Sequence, residues 1–183
     1  MPVTLRGNTG TRLDHVTMAL GWDPVRRGRW FGGRARDIDM NAAALLFSGE
    51  QLIDAVYHER LTSTDGSIRH LGDSVNGEGK GDNELIAVDL TRLPLQVTAV
   101  IFLVTCYTGH SFAEIENAFC RLVDGGSGTE IVRYELHGES HTGLVMGAMR
   151  RTDDGGWTYH EIDAGITARH PAEAAPQVRQ YLY

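Results

Sequence analysis

One stretch carries an unusual density of metal-binding atoms. It reads Gly72-Asp73-Ser74-Val75-Asn76-Gly77-Glu78-Gly79-Lys80-Gly81-Asp82-Asn83-Glu84, thirteen residues with four carboxylates, two side-chain amides and four glycines. Neither a helix nor a strand favours that composition, but a hard cation does. Calcium takes six to eight oxygen ligands at about 2.3–2.6 Å, and a glycine-rich loop supplies them from side chains and from freed carbonyls. A second acidic element, Asp37-Ile38-Asp39-Met40-Asn41, opens an apolar run. On a strand, side chains alternate between faces, so Asp37, Asp39 and Asn41 share one face with Ala43, Leu45 and Phe47. Three polar side chains on a buried face are costly without a partner, and a bound cation would remove that cost. The element is not an EF-hand: Ala42 stands where the sixth position needs glycine, and Ser48 where the twelfth needs a bidentate glutamate. The two acidic elements must therefore cooperate in space. The competing readings are that both are solvated surface loops, or that the cluster holds magnesium or manganese for phosphoryl or hydrolytic chemistry.

Other chemistry-bearing residues point less sharply. Arg26, Arg27, Arg29, Arg34 and Arg36 surround Trp30 and Phe31 among glycines, either a docking loop for an acidic or phosphate-bearing partner or a solvated loop. The acidic balance of the remainder favours the solvated loop. His137 and His141 have the spacing of zinc ligands on one helix face, but Gly138-Glu139-Ser140 between them has turn composition. Lys80 is not followed by Ser or Thr, as a phosphate-binding loop of the Walker type requires. No Gly-x-Ser-x-Gly elbow occurs, and Cys106 and Cys120 lie in strand-like apolar runs with no metal-type spacing. These features lead to an expectation of buried thiols and no enzymatic activity.

The elements that must position the acidic residues are strands. A chain of 183 residues, 42% hydrophobic and 22% charged, fits one domain, here 1–183, and its 22 glycines imply many turns. The apolar period is 2 in most segments, which predicts strands over 13–20, 37–47, 51–58, 67–71, 84–90, 97–107, 117–124, 130–136, 143–151 and 157–162. Gly21-Trp22-Asp23-Pro24 reads as a turn, as do Thr64-Asp65-Gly66 and Asp153-Asp154-Gly155-Gly156. The fold class expected is mostly β, a two-sheet β-sandwich with short helical turns. Residues 97–104 are almost continuously apolar, as in a central strand covered on both faces. A helical turn is expected within 112–117, and a loose helix or tail over 171–183.

A formal net charge of −7 and a pI near 5.6 disfavour binding to nucleic acid or anionic membranes. No apolar run reaches the roughly 18 residues of a spanning helix, and residues 1–10 lack the apolar core of a signal peptide. No membrane insertion and a cytoplasmic location are expected.

Taken together, Gly21-Trp22-Asp23, Asp37-x-Asp39 and the Gly-Asp-x-x-x-Gly-x-Gly-x-Gly-Asp-x-Glu loop resemble the tellurium-resistance TerD family of stress proteins. Ser63-Thr64-Asp65-Gly66-Ser67, Val88-Asp89-Leu90 and Asn117-Ala118-Phe119 follow the same pattern, which covers nearly the whole chain. The resemblance implies a β-sandwich that binds Ca2+ and serves stress and tellurite resistance, with no established catalytic activity. Carried over, Asp37, Asp39, Asp73, Glu78, Asp82 and Glu84 match acidic positions of the family pattern, with further oxygens near Ser74, Asn76, Gly77 and Asn83. Asn41 and Asn83 stand where the family usually has aspartates, Ser74 replaces an asparagine, and His58-Glu59-Arg60 replaces a polar, asparagine-containing stretch. Amides keep an oxygen but lose charge, so the expectation is one or two ions at reduced affinity. The function expected is a calcium-dependent scaffold or sensor with protein partners not identified by sequence. The alternative is an interaction module with weakened or absent calcium sites.

Overall fold

A computed structural model describes residues 1–24, 37–72, 77, 81–138 and 140–183. The arginine-rich segment, from Arg26 to Arg36, and the loop residues Asp73, Ser74, Asn76 and Glu78 lie outside the described residues.

The period-2 pattern sorts the chain into two antiparallel layers. In chain order the strands are β1 (Val3–Thr4), β2 (His15–Gly21), β3 (Met40–Ser48), β4 (Gln51–Val56), β5 (Ile68–His70), β6 (Glu84–Asp89), β7 (Ala99–Cys106), β8 (Ala118–Asp124), β9 (Glu130–Leu136), β10 (Gly143–Arg151) and β11 (Trp157–Ile166). A six-stranded sheet has the order β1-β11-β10-β7-β3-β4, and a five-stranded sheet the order β5-β6-β2-β8-β9. Between them lies the main core, where Met18, Leu20, Ile86 and Leu122 from one sheet meet Met40, Leu46, Phe102 and Met146 from the other. Sandwich packing of this kind is what a mostly β sequence with frequent turns predicts.

The six-stranded sheet has a second buried face. Every residue of β7 is buried, as its unbroken apolar sequence requires. Helix α1 (Pro171–Val178) and the 3-10 turn after it cover the outer face, with Ala174 and Val178 of the helix and Leu182 beyond it packed on Ala43, Leu45, Phe47, Ile101 and Leu103. The segment expected to be loose is thus docked, because the odd-numbered apolar residues of β3 and β7 would otherwise face water. A 3-10 turn, Phe112–Glu114, occupies the expected helical position.

Two strands, β3 and β11, differ most from their predicted extents. Residues 37–39 run beside the end of β7 without joining the regular ladder: Tyr107 N–H donates to the Asp39 carbonyl at 2.8 Å, and Asp39 N–H to Thr108 Oγ1 at 3.3 Å. β11 continues past Ile162 through Asp163-Ala164-Gly165, which has the composition of a turn. Asp163 takes φ 49° where the register between β10 and β11 shifts, the signature of a β-bulge.

Candidate metal centre

The glycine-rich loop joins β5 to β6 and is clasped at its base. Leu71 N–H donates to the Leu85 carbonyl at 2.8 Å. Next to this clasp, Gly72 N–H donates to His70 Nδ1 at 3.3 Å, which leaves the proton of the neutral ring on Nε2. His70 Nε2 lies 3.2 Å from Glu84 Oε2, and that same oxygen accepts Ala42 N–H of β3 at 2.8 Å. The side chains of His70 and Glu84 are fully buried. A buried carboxylate persists only when bonded, and here its bonds tie both ends of the loop to the strand that follows Asp37 and Asp39.

The second fastening is Gly21-Trp22-Asp23. Trp22 is 2% exposed, and its Nε1–H donates to the Ile38 carbonyl at 3.0 Å. Its backbone N–H donates to Asn83 Oδ1 at 2.9 Å. Gly77 lies against the indole with φ 73°, and a Cβ there would fall 2.5 Å from Trp22 Nε1. A Cβ on Gly21 would fall 2.5 Å from the Gly81 carbonyl. Asp23 accepts from Asn117 Nδ2 at 2.6 Å. One tryptophan therefore touches both acidic elements, through Ile38 on one side and Gly77 and Asn83 on the other. Its sequence context as a turn conceals this role. Buried indole with a polar N–H that needs a partner is the signal that could have found it.

The predicted ligand residues have different fates. Asn41 Nδ2 donates to Asp39 Oδ1 at 3.1 Å, so these two side chains do share a face. Asn41 is 1% exposed, and its Oδ1 has no hydrogen-bond partner among the described residues. Thr105, opposite Asn41 in the β3–β7 register, likewise has a buried Oγ1 without one. Asp37 is exposed. Asp82, by contrast, holds Arg121 in a two-pronged ion pair, with Nε–Oδ1 at 3.1 Å and Nη2–Oδ2 at 2.7 Å. The Asp82 bond is the first cause that raises the Arg121 pKa above its ordinary value. Asn83 gives its oxygen to Trp22, and Glu84 gives Oε2 to Ala42 and His70. Glu84 Oε1, like Asn41 Oδ1, is buried and accepts no hydrogen bond among the described residues, so Asp39, Asn41 and this second Glu84 oxygen fit an oxygen-seeking cation best.

The thiols are far from reactive. Burial pushes both Cys106 and Cys120 up from the ordinary thiol value, and both are free and buried. Among the described residues, no helix is long and apolar enough to cross a membrane.

This arrangement can be set beside known proteins. The sequence profile of the TerD domain matches residues 3–169. The chain is 42% identical over 163 residues to tellurium resistance protein TerZ of Serratia marcescens, which spans 86% of this chain and 83% of that one. It is 30% identical over 174 residues to stress response protein SCP2 of Bacillus subtilis, spanning 87% and 86% respectively. A solved structure of a Streptomyces coelicolor homologue of telluride resistance protein TerD aligns with a TM-score of 0.78, covering 89% of this chain and 95% of its own. At 21% identity that likeness bears on the fold. The chain belongs to the TerD domain family.

Proposed function

We propose that this protein is a calcium-binding member of the tellurium-resistance and stress-response family, acting as a calcium-dependent scaffold or sensor in the cytoplasm and not as an enzyme. The observation that carries the reading is Trp22, which fixes Ile38, between Asp37 and Asp39, against Gly77 and Asn83 of the glycine-rich loop. Two acidic segments far apart in sequence are thereby made neighbours. The unpartnered Asn41 Oδ1 supports an electrophile on the same side. Asp37 and Asp39 would contribute carboxylates, and Asp73, Ser74, Asn76 and Glu78 would contribute from the loop. Asp82 and Asn83 serve the site by holding the base of the loop, since each is bonded to protein, and Glu84 fastens it through Oε2 while Oε1 accepts no hydrogen bond among the described residues. That division leaves fewer oxygens than the full acidic count suggests and favours one ion over two.

Occupancy would change the surface shown to a partner, with the sandwich as a rigid base. Binding only to the folded state raises stability by about 2.7 kcal/mol when free calcium exceeds its dissociation constant a hundredfold. Calorimetric titration of chelator-stripped protein with calcium, with magnesium as the control, tests the reading. Saturable calcium binding that magnesium does not reproduce is expected, and Asp39→Asn removes most of the calcium-dependent rise in melting temperature. An unchanged response in Asp39→Asn rules that residue out as a ligand. Equal or tighter magnesium binding would favour the divalent-metal enzyme, and binding of neither ion the interaction module.

A further inference from the structure

A different donor set gathers where β4 ends and α1 begins. After Val56, the chain makes a tight turn in which Tyr57 and Arg60 exchange backbone hydrogen bonds at 3.0 and 2.9 Å, with His58 and Glu59 at its tip. His170, facing them, is the N-cap of α1, its Nδ1 accepting Ala172 N–H at 3.1 Å. His170 Nε2 lies 3.2 Å from Glu59 Oε2, and His58 Nε2 lies 3.9 Å from Glu59 Oε1. One ligand atom from each of the three residues falls within 4.8 Å of the other two. Two aromatic rings wall the group: Tyr57 meets His170 edge-on at 5.2 Å and His58 at 5.5 Å between centroids, and Tyr107 meets His58 at 6.0 Å.

We propose that His58, Glu59 and His170 form a binding site for a divalent transition metal of the zinc class. Two imidazoles and one carboxylate are the donors that such ions prefer, whereas calcium and magnesium take oxygens. Ligands at about 2.0–2.2 Å from a tetrahedral ion sit roughly 3.4 Å from one another. The His170–Glu59 separation already matches that spacing, and the His58–Glu59 separation needs only a small rotation of the exposed Glu59 side chain. Three protein ligands leave the fourth position open to water. The site does not rest on the calcium reading, since it shares no residue with it.

Metal binding is coupled to the start of α1. While His170 Nδ1 accepts from Ala172, the neutral ring carries its proton on Nε2 and donates it to Glu59. A metal at Nε2 displaces that proton, the ring then holds its proton on Nδ1, and the contact from Ala172 is given up. Affinity must fall in acid, because the imidazoles have to be neutral to bind.

The test is calorimetric titration of the full chain with zinc in saturating calcium, so that the oxygen sites are already filled. One zinc per chain is expected, with the ring resonances of His58 and His170 and the amide of Ala172 moving together. His170→Asn keeps a strong N-cap while removing the imidazole, so the helix start is preserved. His170→Asn and His58→Asn should each weaken zinc binding beyond the roughly 10–100-fold that outer-shell changes cost, without altering the calcium response or the far-UV spectrum. Zinc binding that survives both substitutions, or no saturable uptake by the unaltered protein, overturns the proposal.

Discussion

Asp39 and Glu84 are both carboxylates of the acidic motif, yet they live in opposite surroundings. Asp39 is partly exposed, beside an amide whose oxygen is buried and unpartnered. Glu84 is 1% exposed and is bonded to a backbone amide of β3 and to His70. The same side-chain chemistry therefore does two jobs. In the proposed site, at residues 37–41, it offers oxygens to a cation. At residues 82–84 it fastens the base of the loop to the sandwich. An acidic composition draws attention to both, but only the partners separate ligand from fastener.

The sharpest way to break this division is Glu84→Ala. It leaves Ala42 N–H and the His70 Nε2 proton buried without acceptors, each at a cost of about 1–3 kcal/mol, so a loss of roughly 4 kcal/mol is expected in denaturant unfolding without calcium. A ligand with no fastening role would instead cost stability only when calcium is present. Gly77→Ala should follow at about 2 kcal/mol, since it adds a methyl group against the indole and an L side chain at φ 73°. Trp22 fluorescence reports that displacement directly, and an unchanged spectrum with unchanged stability would show that the loop does not need its close approach. Asp82→Asn is the mildest. Its ion pair with Arg121 is 21% and 28% exposed on the two side chains, so at most about 1 kcal/mol is at stake. Calcium affinity should hardly change, and a large loss would move Asp82 into the ligand set.

Much of the sandwich was legible because alternation is a local signal. Ten of the strands fall where period-2 runs lie, and β7 announces its double burial by its unbroken apolar sequence. β1, only Val3–Thr4, is too short to show a period, and its pairing with Tyr159 and Thr158 is long-range. The bulge at Asp163 could not be read either, because Asp-Ala-Gly has the same composition in a turn as in a distorted strand. The acidic elements were visible as candidates from residue type and spacing. Which of their oxygens are already taken depends on Arg121, Trp22, Ala42 and His70, from β8, the end of β2, β3 and β5. Sequence spacing carries no information about such partners. The His58-Glu59 departure was visible too, but His170, more than a hundred residues later, joins it only through the docking of α1.

The clasp at Leu71 and Leu85 has a consequence for how such a protein can change over generations. With the loop's two ends held by the sandwich itself and Gly77 held against Trp22, substitutions that keep these anchors leave the core undisturbed. Exchanges of acidic for neutral residues on either side of Gly77 can then accumulate as near-neutral steps, while Gly77 itself stays fixed by Trp22. The sandwich acts as a socket into which successive loops are fitted, so ion affinity can drift, be lost and be regained while the fold stays the same.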